Sequence, residues 1–197
     1  MDMNIICCGI FKPELEKIIP KLEKEFPEYS LHVNYVASAL HDDNNKLKEG
    51  INSAVCSKVN TILMYGSMCH PQMEDIAKPQ RSVYFKFPNC IDVFLSKEKK
   101  AELEQGLNVH FMTSGWIEFW KDIFEGKNGN GWDPVTARIN LGVNDKIIIL
   151  DTGCKKLSDE DIFEIFDYIQ LPIEVEKIQL DYFTQNVIDL ISVLNLR

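Results

Sequence analysis

Residues Lys146–Asp151 read KIIILD, four consecutive aliphatic side chains between a lysine and an aspartate. A run so short and so uniformly apolar has no polar face. It suits a strand covered on both sides, as in the middle of a parallel sheet. Downstream, SDEDIFEIFDYI begins with Ser158 as a helix cap and three acids suited to the positive end of the helix dipole. The same strand-then-helix order recurs upstream. Met3–Cys8 (MNIICC) stops at Gly9, and Leu15, Ile18, Ile19, Leu22 and Phe26 then share one helical face. Pro20 lies inside that pattern and is expected to kink or divide the helix.

Further strands are expected at Leu31–Ala37, Thr61–Tyr65, Ser82–Phe87, Val109–Thr113 and Val175–Tyr182. Helices are expected at Asp43–Lys58, Glu98–Gln105, Trp116–Phe124 and Thr184–Leu194. Strands alternating with helices predict an α/β fold: a single doubly wound, mostly parallel sheet with helices on both faces, Rossmann-like. Residues 1–197 read as one domain, and the glycine-rich KNGNGWD stretch marks a candidate subdomain boundary near 126–133.

Composition narrows the partners. The 197 residues carry 21 basic and 30 acidic side chains, a net charge of −9 that disfavours nucleic acid or an anionic membrane as main partner. No stretch approaches the roughly 20 apolar residues of a membrane span. The start MDMNIICCGIFKPELEK lacks the basic run and long apolar core of a signal peptide. A cytoplasmic location with reduced thiols is therefore expected. Six cysteines are too sparse for a disulfide scaffold and point instead to metal binding or reactive sulfur.

Ligands of open parallel sheets bind beyond the carboxyl ends of the strands. Five cysteines fall there. Cys7 and Cys8 close the first strand, Cys69 and His70 follow the third, Cys90 follows the fourth, and Asp151-Thr152-Gly153-Cys154 closes KIIILD. His41 follows the second strand and Thr113-Ser114-Gly115 the fifth, whereas Cys56 falls within a helix as a small core residue. Thiolates are soft donors for zinc or an iron–sulfur cluster, and imidazole also serves zinc. Cys8, Cys69 and Cys90 form the preferred ligand set, with His41 or Cys154 as fourth. Without a compact CxxC pair, packing of these cysteines as small hydrophobes has equal weight on spacing alone.

Other chemistry stays open at this point. Cys8 or Cys69 at a strand-to-helix turn could be the nucleophile of a metal-free transferase or hydrolase, with His70 or His41 as base. Thr113 and Ser114 before a helix could cradle an anion or simply form a tight turn. Asp151 offers a carboxylate at the ligand end of the sheet, with turn capping as the alternative. Neither GxGxxG nor GxxxxGK[ST] occurs. Trp116, Phe119, Trp120 and Phe124 share a helical spacing that suits core or interface packing.

Several of these segments together resemble the prokaryotic family called domain of unknown function 1638. They are Cys8-Gly9-Ile10-Phe11 with Glu14-Leu15, Leu40-His41, Tyr65-Gly66-Ser67-Met68-Cys69, Pro88-Asn89-Cys90-Ile91 and Thr113-Ser114-Gly115-Trp116-Ile117-Glu118. The resemblance runs over residues 3 to 155. It departs at His70, where members often carry glycine, and at Pro88-Asn89, where they often carry a His-Asp pair. With the three cysteines in place, it lifts the metal reading above the packing one. It implies a zinc or iron–sulfur site that takes a small-molecule ligand or thiol, in anaerobic bacteria or archaea. Some members are encoded beside corrinoid-dependent methyltransferase systems. The implied partners are thus a corrinoid protein or methyltransferase, or a second copy of the chain, with corrinoid met only through a partner. A non-catalytic accessory protein is the alternative role, its acidic surface and the Trp116–Phe124 helix serving as contacts.

Overall fold

The computed structural model describes residues 1–55, 59–78 and 82–195. Cys56, expected in a helix, lies outside the described residues, as do the side chains of His41 and Asp42. The elements run β1 (Asp2–Cys8), α1 (Lys12–Glu25), β2 (Ser30–Val36), α2 (Asn44–Ala54), β3 (Asn60–Met64), α3 (Met73–Ala77), β4 (Val83–Tyr84) and α4 (Lys97–Glu104). Then follow β5 (Val109–Thr113), α5 (Ser114–Phe124), α6 (Pro134–Leu141), β6 (Lys146–Asp151), α7 (Asp159–Ile169), β7 (Ile173–Lys177) and α8 (Asp181–Asn195).

Every strand pair is parallel. The Rossmann-like α/β architecture is therefore present, but the strands are divided between two sheets instead of one, in the orders β2-β1-β3-β4 and β5-β6-β7. The two continuous apolar runs are the central strands: β1 and β6 are buried along nearly their whole length, while the edge strands β2 and β7 alternate or lie open. The division has a local cause. A crossover helix in a continuing sheet must bury one face, and α4 (KEKKAELE) buries no residue. β4 is also only two residues long, so it offers β5 little edge to extend.

Residues 126–133 connect α5 to α6, and the helix that follows was hidden by the glycines. Its start signals are regular ones: Asp133 accepts from the Thr136 N–H at 2.7 Å, and Pro134 occupies the first turn. Pro20 does not divide α1, which continues through it. The ring lies on the solvent side, where water can satisfy the carbonyl that loses its partner. The last strand begins and ends earlier than Val175–Tyr182, because pairing already starts at the Pro172 carbonyl and Asp181 opens the first turn of α8.

Packing and close backbone approach both tie the sheets together. α8 returns from the second sheet to pack on β3 and β4 of the first. There Phe183 stacks on Phe94 with ring centroids 4.6 Å apart, and Phe11 stacks against both. The second contact is backbone against backbone: a Cβ added at Gly115, at the start of α5, would sit 1.7 Å from the Ile10 carbonyl oxygen. The aromatic side of α5 faces inward, with Trp116, Trp120, Ile123 and Phe124 all buried in the core and Phe119 partly exposed. Among the described residues no helix is long and apolar enough to cross a membrane.

Gly115→Ala separates propensity from packing. Alanine gains about 1 kcal/mol of helix propensity over glycine, but the clash with Ile10 should outweigh it and leave a net loss of about 2 kcal/mol. Urea unfolding would show a lowered midpoint at unchanged slope, whereas a raised midpoint would contradict the close contact.

Candidate functional site

Three cysteines meet where the first sheet ends. Cys8 closes β1, Cys69 lies in the turn after β3, and Cys90 follows β4; all three line one cavity of about 260 Å³. Parallel pairing aligns the strand ends, and short backbone bonds do the rest. Ser67 N–H donates to the Phe87 carbonyl at 2.7 Å, and Met68 N–H to the Pro88 carbonyl at 2.9 Å, zipping the Cys69 turn to the Cys90 segment. Gly66 permits this approach, since a Cβ there would lie 2.5 Å from the Pro88 oxygen. Asn89 shapes the second segment by accepting from the Ile91 and Asp92 N–H groups at 2.9 and 3.2 Å.

The walls are apolar. Ile10, Phe11, Met64 and Trp116 contribute, with Met68 exposed at the rim and no charged side chain in the lining. Burial pushes the Cys69 thiol up, opposed by a backbone hydrogen bond at Gly66. Burial likewise pushes Cys90 up, with Cys69 and Cys8 adding to it and the Trp116 indole working against it. The Tyr65 hydroxyl is buried, and among the described residues it has no hydrogen-bond partner. Among the described residues, no three His, Cys, Asp or Glu side chains stand close enough to hold one ion between them.

The other expected residues lie elsewhere. Cys7 is buried in β1, its thiol 4.0 Å from the Asn34 carbonyl and its pKa pushed well up by burial. His70 has both ring nitrogens engaged, Nδ1 accepting from the Gln72 N–H at 2.9 Å and Nε2 facing the Asn44 carbonyl at 3.1 Å. Asp151 accepts from the Gly153 N–H at 2.9 Å and so caps its turn, with Gly153 at φ +66°. Cys154 belongs to the second sheet, its thiol 3.8 Å from the Thr152 carbonyl, and does not line the cavity. Thr113 is fully buried. The backbone at Gly115 is filled by Ile10 of the chain itself. The side chain of His41 is outside the described residues.

Ser114 joins a polar chain that was not expected. Its hydroxyl lies 2.7 Å from Thr152 Oγ1, which donates to Glu14 Oε1 at 2.9 Å. Glu14 is fully buried, and among the described residues its other oxygen has no partner. Burial raises its pKa against the lowering bonds from Thr152 and Ser114. Its signals in the sequence are its place in the first turn of α1, beside the apolar stripe, and in the Glu14-Leu15 segment that carries the family resemblance.

A family model described as protein of unknown function (DUF1638) matches residues 35–187. The chain belongs to this family. The DUF1638 match contains Cys69, Cys90 and the Ser114–Thr152 pair, whereas Cys8 and Glu14 lie ahead of it. No curated protein and no solved structure matches the chain.

The sign of the Glu14 effect is testable. A carboxyl whose folded pKa lies above its unfolded one contributes stability below the unfolded value and loses it as pH rises through the folded value. Glu14→Gln, which cannot ionise, should therefore gain on the wild type in urea unfolding as pH rises from the ordinary carboxylate range through the raised folded pKa. A difference constant over that range would show that Glu14 does not ionise there.

Proposed function

We propose that this protein binds a soft metal centre, zinc or an iron–sulfur cluster, through Cys8, Cys69 and Cys90 and holds a small molecule or thiol against it. The observation that carries the reading is the convergence of three thiols from three strand ends on one cavity of about 260 Å³. A lone zinc with bonds near 2.3 Å would require the three sulfurs within about 4 Å of one another. Among the described side chains no such close group is present, so the three thiols would have to draw together to hold a zinc ion, whereas a cluster permits wider spacing. Three protein ligands leave a coordination position open, and a bound cluster would offer a Lewis-acidic iron there.

The surrounding residues suit that role. Burial keeps the Cys69 and Cys90 thiols protonated, so metal entry must displace protons and is favoured as pH rises. The Trp116 indole, which works against the rise of the Cys90 pKa, would support the thiolate form of a metal ligand. An activated cysteine nucleophile needs a depressed thiol pKa, the opposite of what burial does here. Exchange of the bound molecule with a corrinoid protein or methyltransferase is the role that the family resemblance implies.

Anaerobic reconstitution with iron and sulfide tests the reading. The wild type should retain about four iron and about four sulfide per chain, and Cys69→Ser and Cys90→Ser should each lose most of both. A wild type that retains less than about one iron per chain, or serine variants equal to it, would count against the cluster.

A further inference from the structure

We infer that a second cavity, at the carboxyl ends of β1 and β2, binds a small molecule of mononucleotide chemistry, an anionic group on a compact body with a flat ring. The inference goes beyond the metal-binding reading and does not depend on it. The cavity measures about 420 Å³ and shares no lining residue with the thiol-lined one. Its place is set by the fold. β1 and β2 pair in parallel as far as Cys8 and Val36, so the chain leaves the sheet at Gly9 and at Ala37 side by side. Gly9, Lys12 and residues 35–39 line the cavity from the first sheet, and Phe119 and Asp122 of α5 line it together with the 126–128 turn. Small-molecule sites favour both the carboxyl ends of parallel strands and the junction between two packed units.

Charge selects the ligand. The chain as a whole carries −9, yet the charged side chains in this lining are two lysines and one aspartate. Among the described residues neither Lys12 nor Lys127 has a carboxylate within 4 Å. Lys12 is held instead over the Tyr35 ring, its ammonium 5.9 Å from the centroid. Two ammonium groups without counter-ions of their own, in one concave site, attract an anion. Tyr35 and Phe119 are both partly exposed and offer aromatic surface for a flat ring. Asp122 and Asn128 supply acceptors for ligand N–H or O–H groups. The volume lies near the low end of the roughly 300–1,000 Å³ of ordinary small-molecule sites, which suits one nucleotide and not two.

Adenosine monophosphate is the probe, titrated by calorimetry into the full chain after chelator treatment, with adenosine and inorganic phosphate as its two halves. The expected result is wild-type binding with a Kd below about 1 mM, and each half bound at least about tenfold more weakly. Lys12→Met and Lys127→Ala should each weaken adenosine monophosphate about fivefold and leave adenosine unchanged. Lys127 is exposed and lies in a turn, so Lys127→Ala tests the charge without touching the core. A wild type that does not bind adenosine monophosphate below about 1 mM overturns the inference. So does an affinity unchanged in both lysine variants, or inorganic phosphate bound as tightly as the nucleotide.

Discussion

At the first turn of α5 there is room for a glycine and nothing larger, because the Ile10 carbonyl of the first sheet already occupies the place of a Cβ at position 115. Much of the molecule depends on that contact. Ile10 belongs to the short helical turn Gly9–Phe11 after β1, so the contact brings the carboxyl ends of the two sheets face to face. Trp116, one residue further on, thereby reaches the cavity of the first sheet from the second. Beside it, the Ser114–Thr152–Glu14 chain gives the same junction a polar bridge. A buried carboxyl is a costly way to join two elements, and the bonds from Thr152 and Ser114 offset only part of that cost.

The cavity follows from this junction and from the zipped turns after β3 and β4. Soft sulfur donors and the side chains of Phe11, Tyr65 and Trp116 are gathered around a space without a formal charge. Low polarity keeps the thiols protonated when nothing is bound. It would also strengthen each bond made to a metal or ligand inside. Position in the fold agrees with the chemistry: β1 and β3 are neighbours in the order β2-β1-β3-β4, where the chain reverses its direction of building the sheet and where open parallel sheets hold ligands.

The parallel α/β class was legible because β1 and β6 carry no polar face, and Cys8, Cys69 and Cys90 could be grouped because parallel strands end together. The split into two sheets was not, since both central strands carry the same apolar pattern and no linker separates them. Cys154 was grouped with the others for lack of that knowledge: it ends β6, in the other sheet. His70 reads as a possible base in the sequence, but its bonds to Gln72 and Asn44 use both nitrogens for the turn. Glu14 and Tyr65 escaped for the opposite reason. Periodicity places a residue on a face, but it does not reveal that a buried polar atom lacks a partner.

The central claim is that Cys8, Cys69 and Cys90 act together on one bound metal centre. Alkylation read by mass spectrometry tests it most directly, on protein purified anaerobically and again after stripping with a chelator. The account predicts that all three cysteines resist labelling in the first state and gain it together in the second, while Cys154 labels equally in both. Labelling of the three at unrelated rates, unchanged by the chelator, would contradict it.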